Sequence, residues 1–207
     1  MNFTGKLTTE LFLKRYWQRK PLLIPQALPD FVDPLSAEEL AGLACEEEVE
    51  SRLIQTAGKK YILKTGPFTE KDFLSLPAKN WTLLVQAVDE WLPKVKQLLQ
   101  TVSFLPNWRV DDVMISYATA GGGVGPHFDY YDVFLIQGSG SRIWRTGQSC
   151  NSQDESRSES GLKLLNKFET TAEYELHSGD VLYVPPGVAH WSISNDDSLS
   201  YSIGFRA

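Results

Sequence analysis

His127, Asp129 and His190 are the residues in this chain whose types and spacing suit a metal ion. His127 and Asp129 stand at i and i+2 in GVGPHFDYYD, and in extended backbone such side chains point to the same face. An imidazole and a carboxylate so placed can bind one ion as neighbours. Gly121, Gly122, Gly123 and Gly125 lead into the pair and keep the approach uncrowded. His190 offers a third ligand in GDVLYVPPGVAHWSIS. There Gly179-Asp180 makes a turn, Val181 to Val184 a strand, Pro185-Pro186-Gly187 a rigid corner, and His190 begins the next strand. Two histidines and a carboxylate form the facial arrangement that leaves coordination positions open and favours iron(II) redox chemistry. Zinc also accepts these residue types, but a structural zinc site is closed by four ligands. A lone His-x-Asp pair is common by chance, and a lone histidine is more often structural. His177, beside Ser178-Gly179, reads as an exposed turn residue, and Asp132 as a strand start rather than a substitute ligand.

Arg142 is the second focus. It follows the turn GSGS, on a strand expected to run antiparallel to residues 132–137. Arg142 and Trp144 share one face of that strand; Ile143 and Arg145 share the other. A guanidinium turned into a protein interior needs an anion. One carboxylate of a dicarboxylate cosubstrate matches its bidentate fork. If Arg145 faces inward instead, Arg142 is an ordinary surface arginine; the alternation favours Arg142 but leaves both arrangements open.

The elements that must carry these residues are short strands, expected near 112–119, 132–137, 142–147, 173–177, 180–184, 190–194 and 200–205. Their regular spacing and intervening turn signals indicate a sandwich or barrel, here a double-stranded β-helix, or jelly roll. Only a closed sheet brings His127 and His190 together. On the later strands Ser192, Ser194, Ser200, Ser202 and Gly204 alternate with Trp191, Ile193, Tyr201, Ile203 and Phe205. The small residues leave room for a bound molecule and the large ones pack elsewhere. Earlier, Met114, Ser116 and Ala118 alternate with Val113, Ile115 and Tyr117. The fold class is therefore mainly β with helices.

Residues 1–105 read as a helical α/β buttress and 106–207 as the β-helix core. In the buttress, Thr8-Thr9 open a short helix that stops before Pro21. Residues 22–25 form a strand, Ser36 caps a second helix, and RLIQTA and KKYILKTG form a hairpin around Gly58. Residues 81–87 are strand-like, and Pro93 opens KVKQLLQTV. The polar segment 149–160, SCNSQDESRSES, is expected to be a mobile surface loop.

The chain has 207 residues, 42% of them hydrophobic and 22% charged, enough apolar material for a core without staples. No apolar run reaches the ~18 residues of a membrane span, and MNFTGKLTTE lacks a signal-peptide layout. Cys45 and Cys150 are too few for a disulfide scaffold and fit a reducing cytoplasm. A net charge of −6 argues against a nucleic-acid face and suits a cationic partner. The apolar, alternating end YSIGFRA suggests a piece of a longer chain.

GGGVGPHFDYYDVFLIQGSGSRIWR and VPPGVAHWSISN, preceded by FLKRYWQRKPLLIP, closely resemble the bacterial ribosomal oxygenases. These are JmjC-type, cupin-superfamily, 2-oxoglutarate-dependent dioxygenases, and the branch resembled is the ribosomal protein arginine 3-hydroxylases. The resemblance implies that Fe(II), 2-oxoglutarate and O2 are used, with His127, Asp129 and His190 as iron ligands. It implies that Arg142 binds the far carboxylate of 2-oxoglutarate and that Ser116 and Ser200 help hold it, although an asparagine is usual where Ser200 stands. The implied substrate is an arginine of large-subunit ribosomal protein sixteen, with Tyr130, Tyr131 and Asp132 as candidate walls for it or as braces for the strand start. Such proteins continue into a dimerisation segment and a winged-helix domain that this sequence lacks; the full-length protein is expected to be a homodimer and this piece a monomer. A small-molecule cupin dioxygenase or isomerase working without 2-oxoglutarate is the alternative enzyme. A non-catalytic module with a vestigial barrel is the alternative of another class.

Overall fold

Alternating large apolar and small polar residues give the strands of the second half two different faces, and each face packs against a different layer. The computed structural model describes residues 7–58, 60–157 and 161–206. In chain order the elements are α1 (Thr9–Arg15), β1 (Leu22–Ile24), α2 (Ala37–Leu43), β2 (Ser51–Ala57), β3 (Lys60–Thr65), α3 (Glu70–Leu74), β4 (Trp81–Val85), α4 (Val88–Trp91) and α5 (Pro93–Lys96). A 3-10 turn (Gln97–Val102) continues α5. Then come β5 (Val110–Ala118), β6 (Val133–Gln137), β7 (Arg142–Ser149), β8 (Glu155–Arg157), β9 (Lys163–Leu165), β10 (Ala172–Leu176), β11 (Val181–Val184), β12 (Val188–Ser194) and β13 (Ser198–Phe205). Both capped helices form as their sequences require. The Thr8 hydroxyl accepts from the Leu11 amide, and Ser36 and Glu39 make a reciprocal capping box.

The large sheet has eight strands in the order β1-β11-β6-β13-β5-β4-β2-β3, and the small one three, β10-β7-β12. An antiparallel bridge between His127 and His190 adds a further short segment beside β12. Two stacked antiparallel sheets of this kind make the expected double-stranded β-helix. Strands from the first hundred residues do not form a separate sheet: β1 pairs with β11 and β4 with β5.

Side-chain parity sorts the core into two parts. Val113, Ile115, Phe134, Ile136, Val181, Tyr183, Tyr201, Ile203 and Phe205 leave one face of the large sheet and pack with Phe12, Leu40, Val88, Val95 and Val102 of the helical layer. Val133, Leu135, Leu182 and Val184 leave the other face and meet Trp144 and Leu176 of the small sheet inside the barrel. Phe12 anchors the first contact. Its ring lies 5.0 Å from Tyr183, 5.6 Å from Phe134 and 5.8 Å from Phe104.

Two expectations change. β7 does not pair with β6; it pairs with β10 and β12, so residues 138–141 carry the chain from one sheet to the other. The turn's donors are taken by distant acceptors rather than by a hairpin: the Ser139 amide donates to Asp33 and the Ser141 amide to Asp196. Gly140 sits at φ +70, and a Cβ there would come 2.3 Å from the Asp197 carbonyl. The polar segment 149–160 contains strand β8, which pairs with β9, while residues 158–160 of that segment lie outside the described residues. A turn closed by Asn151 and Asp154 leads into β8, and the buried leucines of β9 tie the hairpin down. The short helices α3 and α4 were not anticipated. Among the described residues no helix is long and apolar enough to cross a membrane.

Phe12→Ala empties a site surrounded by aromatic rings, and deleting such a side chain costs about 3–5 kcal/mol. Urea unfolding of the variant is expected to show that loss; a loss below ~1 kcal/mol would mean that α1 does not brace the large sheet.

Candidate active site

The His127 amide donates to the His190 carbonyl at 3.1 Å, and the His190 amide returns a bond to His127 at 2.8 Å. Directly opposed residues in such a pair present their side chains on the same face, and the two imidazole centroids lie 4.3 Å apart. Each ring is oriented by a backbone carbonyl two residues earlier. His127 Nδ1 lies 2.8 Å from Gly125 O, and His190 Nδ1 3.0 Å from Val188 O. A carbonyl can only accept, so Nδ1 carries the proton in the neutral ring and Nε2 keeps its lone pair. His190 Nε2 faces Asp129 Oδ2 at 3.4 Å. One ligand atom from each of His127, Asp129 and His190 lies within 4.8 Å of the others.

Charge states follow from the surroundings. Burial, reinforced by His190, pushes His127 down to about 4. Burial acts to raise Asp129, but the hydrogen bond and charge of His190 and the charge of His127 hold it below the usual carboxylate range. His190 is opposed by burial, yet its hydrogen bond to Asp129 carries it above the ordinary imidazole value. A neutral imidazole with a free Nε2 and an ionised carboxylate are the forms that coordinate a divalent ion.

Local backbone fixes this geometry. Gly125 has φ +92, and a Cβ there would come 2.8 Å from the Tyr61 ring. Only glycine fits, and its carbonyl is the one that orients His127. At the other side, the Gly187 amide of the Pro-Pro-Gly corner donates to the Asp129 carbonyl at 2.7 Å.

Arg142 faces inward and is 3% exposed. Its Nε donates to Ser198 Oγ at 2.8 Å and Nη1 to Ser116 Oγ at 2.7 Å; Nη2 donates to the carbonyls of Ser116 and Ser198 at 2.9 and 3.0 Å. These partners are neutral. Burial alone pulls the guanidinium down to about 9, still charged at neutral pH. Arg145 takes the outer face, bound to Glu173 at 2.7 Å and lying over Trp191. A cavity of about 300 Å³ connects Arg142 to His127, Asp129 and His190, with Ser116, Trp144, Ser192 and Ser202 in its walls. This size lies at the small end of small-molecule sites. Ser200 is buried on the same face of β13 as Ser198 and Ser202, but it does not line the cavity.

The profile of the JmjC domain matches residues 97–207, just over half of the sequence. The chain belongs to the JmjC-domain family. The JmjC chain is 44% identical over 202 residues to the ribosomal protein uL16 3-hydroxylase of Escherichia coli, covering 95% of this chain and 52% of that one. It is 39% identical to a probable ribosomal oxygenase of Haemophilus influenzae, covering 97% and 50%. A crystal structure of E. coli YcfD superposes with a TM-score of 0.93 at 42% identity, covering all of this chain and 55% of that one. The ribosomal oxygenase YcfD in complex with cobalt and 2-oxoglutarate superposes at 0.88 with 43% identity, covering 98% and 52%. The JmjC chain thus spans about half the length of the curated relatives it matches.

Other residues fall into place around the JmjC cavity. Asp132 is buried, and its carboxylate accepts from the Tyr183 hydroxyl and from Gln18 Nε2, so it braces the start of β6 and does not face the cavity. Tyr131 lines the cavity beside Asp129. Tyr130 packs on Phe128 and lies outside the lining. His177 is exposed, as expected. Asp112 and Gln86 were missed. Asp112 Oδ2 accepts from Gln86 Nε2 at 2.6 Å and from the Ala87 amide at 2.9 Å, and both residues line the cavity. The alternation that turns Met114 and Ser116 inward extends to Asp112, which was the available signal. Gln86 lies just past β4, where no period applies.

Gly125→Ala displaces the carbonyl that orients His127. Disturbing such a support typically costs 10- to 100-fold in metal affinity, and calorimetric titration with Co(II) is expected to show a loss of about that size. Unchanged affinity would separate the Gly125 contact from ion binding.

Proposed function

We propose that this chain carries the active site of an Fe(II)- and 2-oxoglutarate-dependent protein hydroxylase acting on an arginine side chain of a large-subunit ribosomal protein, uL16. One observation carries the reading: a buried guanidinium with only neutral partners opens into the same cavity as two histidines and a carboxylate. A buried charge left without a counter-ion is costly, and a ligand carboxylate removes that cost. The donor set fits the metal on chemical grounds: His127 is neutral with a free Nε2, Asp129 is ionised, and His190 would give up the Nε2 proton it shares with Asp129 when a cation takes that place.

In this reading His127, Asp129 and His190 would hold the metal, a donor set of two imidazoles and one carboxylate that suits iron(II). Arg142 anchors the far carboxylate, and so the orientation, of the cosubstrate. Ser116 and Ser198 hold the guanidinium in place, Ser116 also reaches the cavity, and Ser200 stands opposite Ser116 in the pairing of β13 with β5. When bound, iron and 2-oxoglutarate supply the oxidising chemistry, with O2 as oxidant. The barrel's apolar walls, Val133, Leu135 and Trp144, keep water away from that reaction. In the cavity wall, Asp112 retains acceptor capacity and Tyr131 offers a ring, a pairing that suits a guanidinium through a charge-assisted bond and a cation–π contact. Residues 106–207 act as the catalytic core and residues 1–105 as its buttress. The net charge of −6 suits a basic ribosomal partner, and the free cysteines suit the cytoplasm.

The direct test incubates the chain with uL16, Fe(II) and 2-oxoglutarate and reads the arginine-containing peptides by mass spectrometry. A gain of about 16 Da, one oxygen atom, on an arginine is expected; no gain on any peptide overturns the substrate assignment. Arg142→Lys keeps the charge and loses the fork. It is expected to weaken 2-oxoglutarate binding about 10- to 100-fold, the range for a charge-assisted bond, while Fe(II) binding survives. Unchanged cosubstrate affinity in anaerobic titration would remove Arg142 from that role.

A further inference from the structure

Trp144 is only 6% exposed, lines the cavity, and its indole nitrogen is buried without a hydrogen-bond partner. Buried donors in native proteins are paired in the great majority of cases. Packing alone does not call for this N–H, because the buried residues that cluster with the ring, Val133, Leu135, Leu176, Leu182 and Val184, are apolar and would pack as well on a hydrocarbon ring. Thr82 also lines the cavity with an unpartnered oxygen. Its hydroxyl can rotate towards a neighbour, whereas the indole N–H is fixed by the ring.

The register of β7 against β12 says where this donor lies. Three opposed pairs follow one another on the inward face: Arg142 with Ser194, Trp144 with Ser192, and Thr146 with His190. Trp144 therefore occupies the rung between the guanidinium and the imidazole, and its ring centroid is 6.1 Å from that of His190. A molecule that reaches from Arg142 to an ion on His190 passes this rung. Arg142 makes four hydrogen bonds with five N–H groups, so one donor is left there as well. Both spare donors ask for acceptor oxygens.

We propose that Trp144 is a binding residue for the dicarboxylate cosubstrate, its indole N–H donating to an oxygen of the bound molecule between the Arg142 end and the His190 end. This rests on the reading of the cavity as a 2-oxoglutarate site. Trp144 then senses occupancy of the cavity directly, and it discriminates for ligands that carry an acceptor at the middle rung.

The test uses the intact chain with Zn(II), which is diamagnetic, and succinate or 2-oxoglutarate as probes. In protein labelled with 15N at tryptophan, the indole N–H signal of Trp144 is identified by its loss in Trp144→Phe, or in Trp144→Tyr should the first variant not fold. On adding either probe that signal is expected to move downfield and to exchange more slowly with water. Calorimetry is expected to show about five-fold weaker binding of the probe to Trp144→Phe, the fold-change matching a neutral hydrogen bond of about 1 kcal/mol. A wild-type chain that binds the probe with no movement of the Trp144 signal, or a folded variant with unchanged affinity, overturns the proposal. A wild-type chain that binds neither probe overturns the underlying reading of the cavity instead.

Discussion

Two backbone hydrogen bonds between His127 and His190 are the constraint from which the rest of the site follows. They join a glycine-rich segment to β12 and set the two imidazoles side by side. Bonds between Gly121, Gly122 and Ser194 on one side, and between Gly187 and Asp129 on the other, extend the same junction. The carbonyls of Gly125 and Val188 then fix the tautomers. Asp129 follows two residues later on the same face, tied through its own carbonyl to the Pro-Pro-Gly corner. The site is thus written mainly in backbone geometry, with side chains filling places the main chain has prepared.

Much of this was legible in the sequence because a strand has a period of two. Parity alone separates Met114 and Ser116 from Val113 and Ile115, and Ser202 and Gly204 from Tyr201 and Ile203, and the structure places each set on a different layer. Parity does not say which face is inside. The contest between Arg142 and Arg145 is settled only by packing, when Trp144 joins the barrel interior and Glu173 pairs with the outer arginine. Nor does parity say which strand lies alongside. The GSGS turn reads as a hairpin because that is the commonest outcome for such a sequence, but its amides are claimed by Asp33 and Asp196 from elsewhere in the chain. Asp112 stayed hidden because an acidic residue at the start of a strand ordinarily faces water. The unpartnered nitrogen of Trp144 could not be seen at all, since whether a polar atom is satisfied depends on the whole fold.

Electrostatics and packing divide the labour across one sheet. Its outer face is a hydrocarbon and aromatic layer that makes the structure rigid. Its inner face closes over β7 of the small sheet, which carries the costly features, a charged guanidinium among neutral partners and a donor without an acceptor. Such unfavourable burial persists only where the surrounding core is strong enough to hold it, and the ring cluster of Phe12, Phe134 and Tyr183 lies behind β6 and β11, the strands whose inner residues meet Trp144 across the barrel.

The place of β13 in the large sheet has a consequence for how the molecule comes into being. It is inserted between β6 and β5, so it alone joins β1-β11-β6 to β5-β4-β2-β3. Every other strand of the sheet is made before it on the ribosome. Until Ser198–Phe205 has emerged, no strand links the two halves of the sheet, and the cavity wall that Ser202 and Gly204 supply is missing. Closure of the large sheet therefore waits for these pairings, the slow and non-local kind of folding expected where strands distant in sequence are neighbours in space.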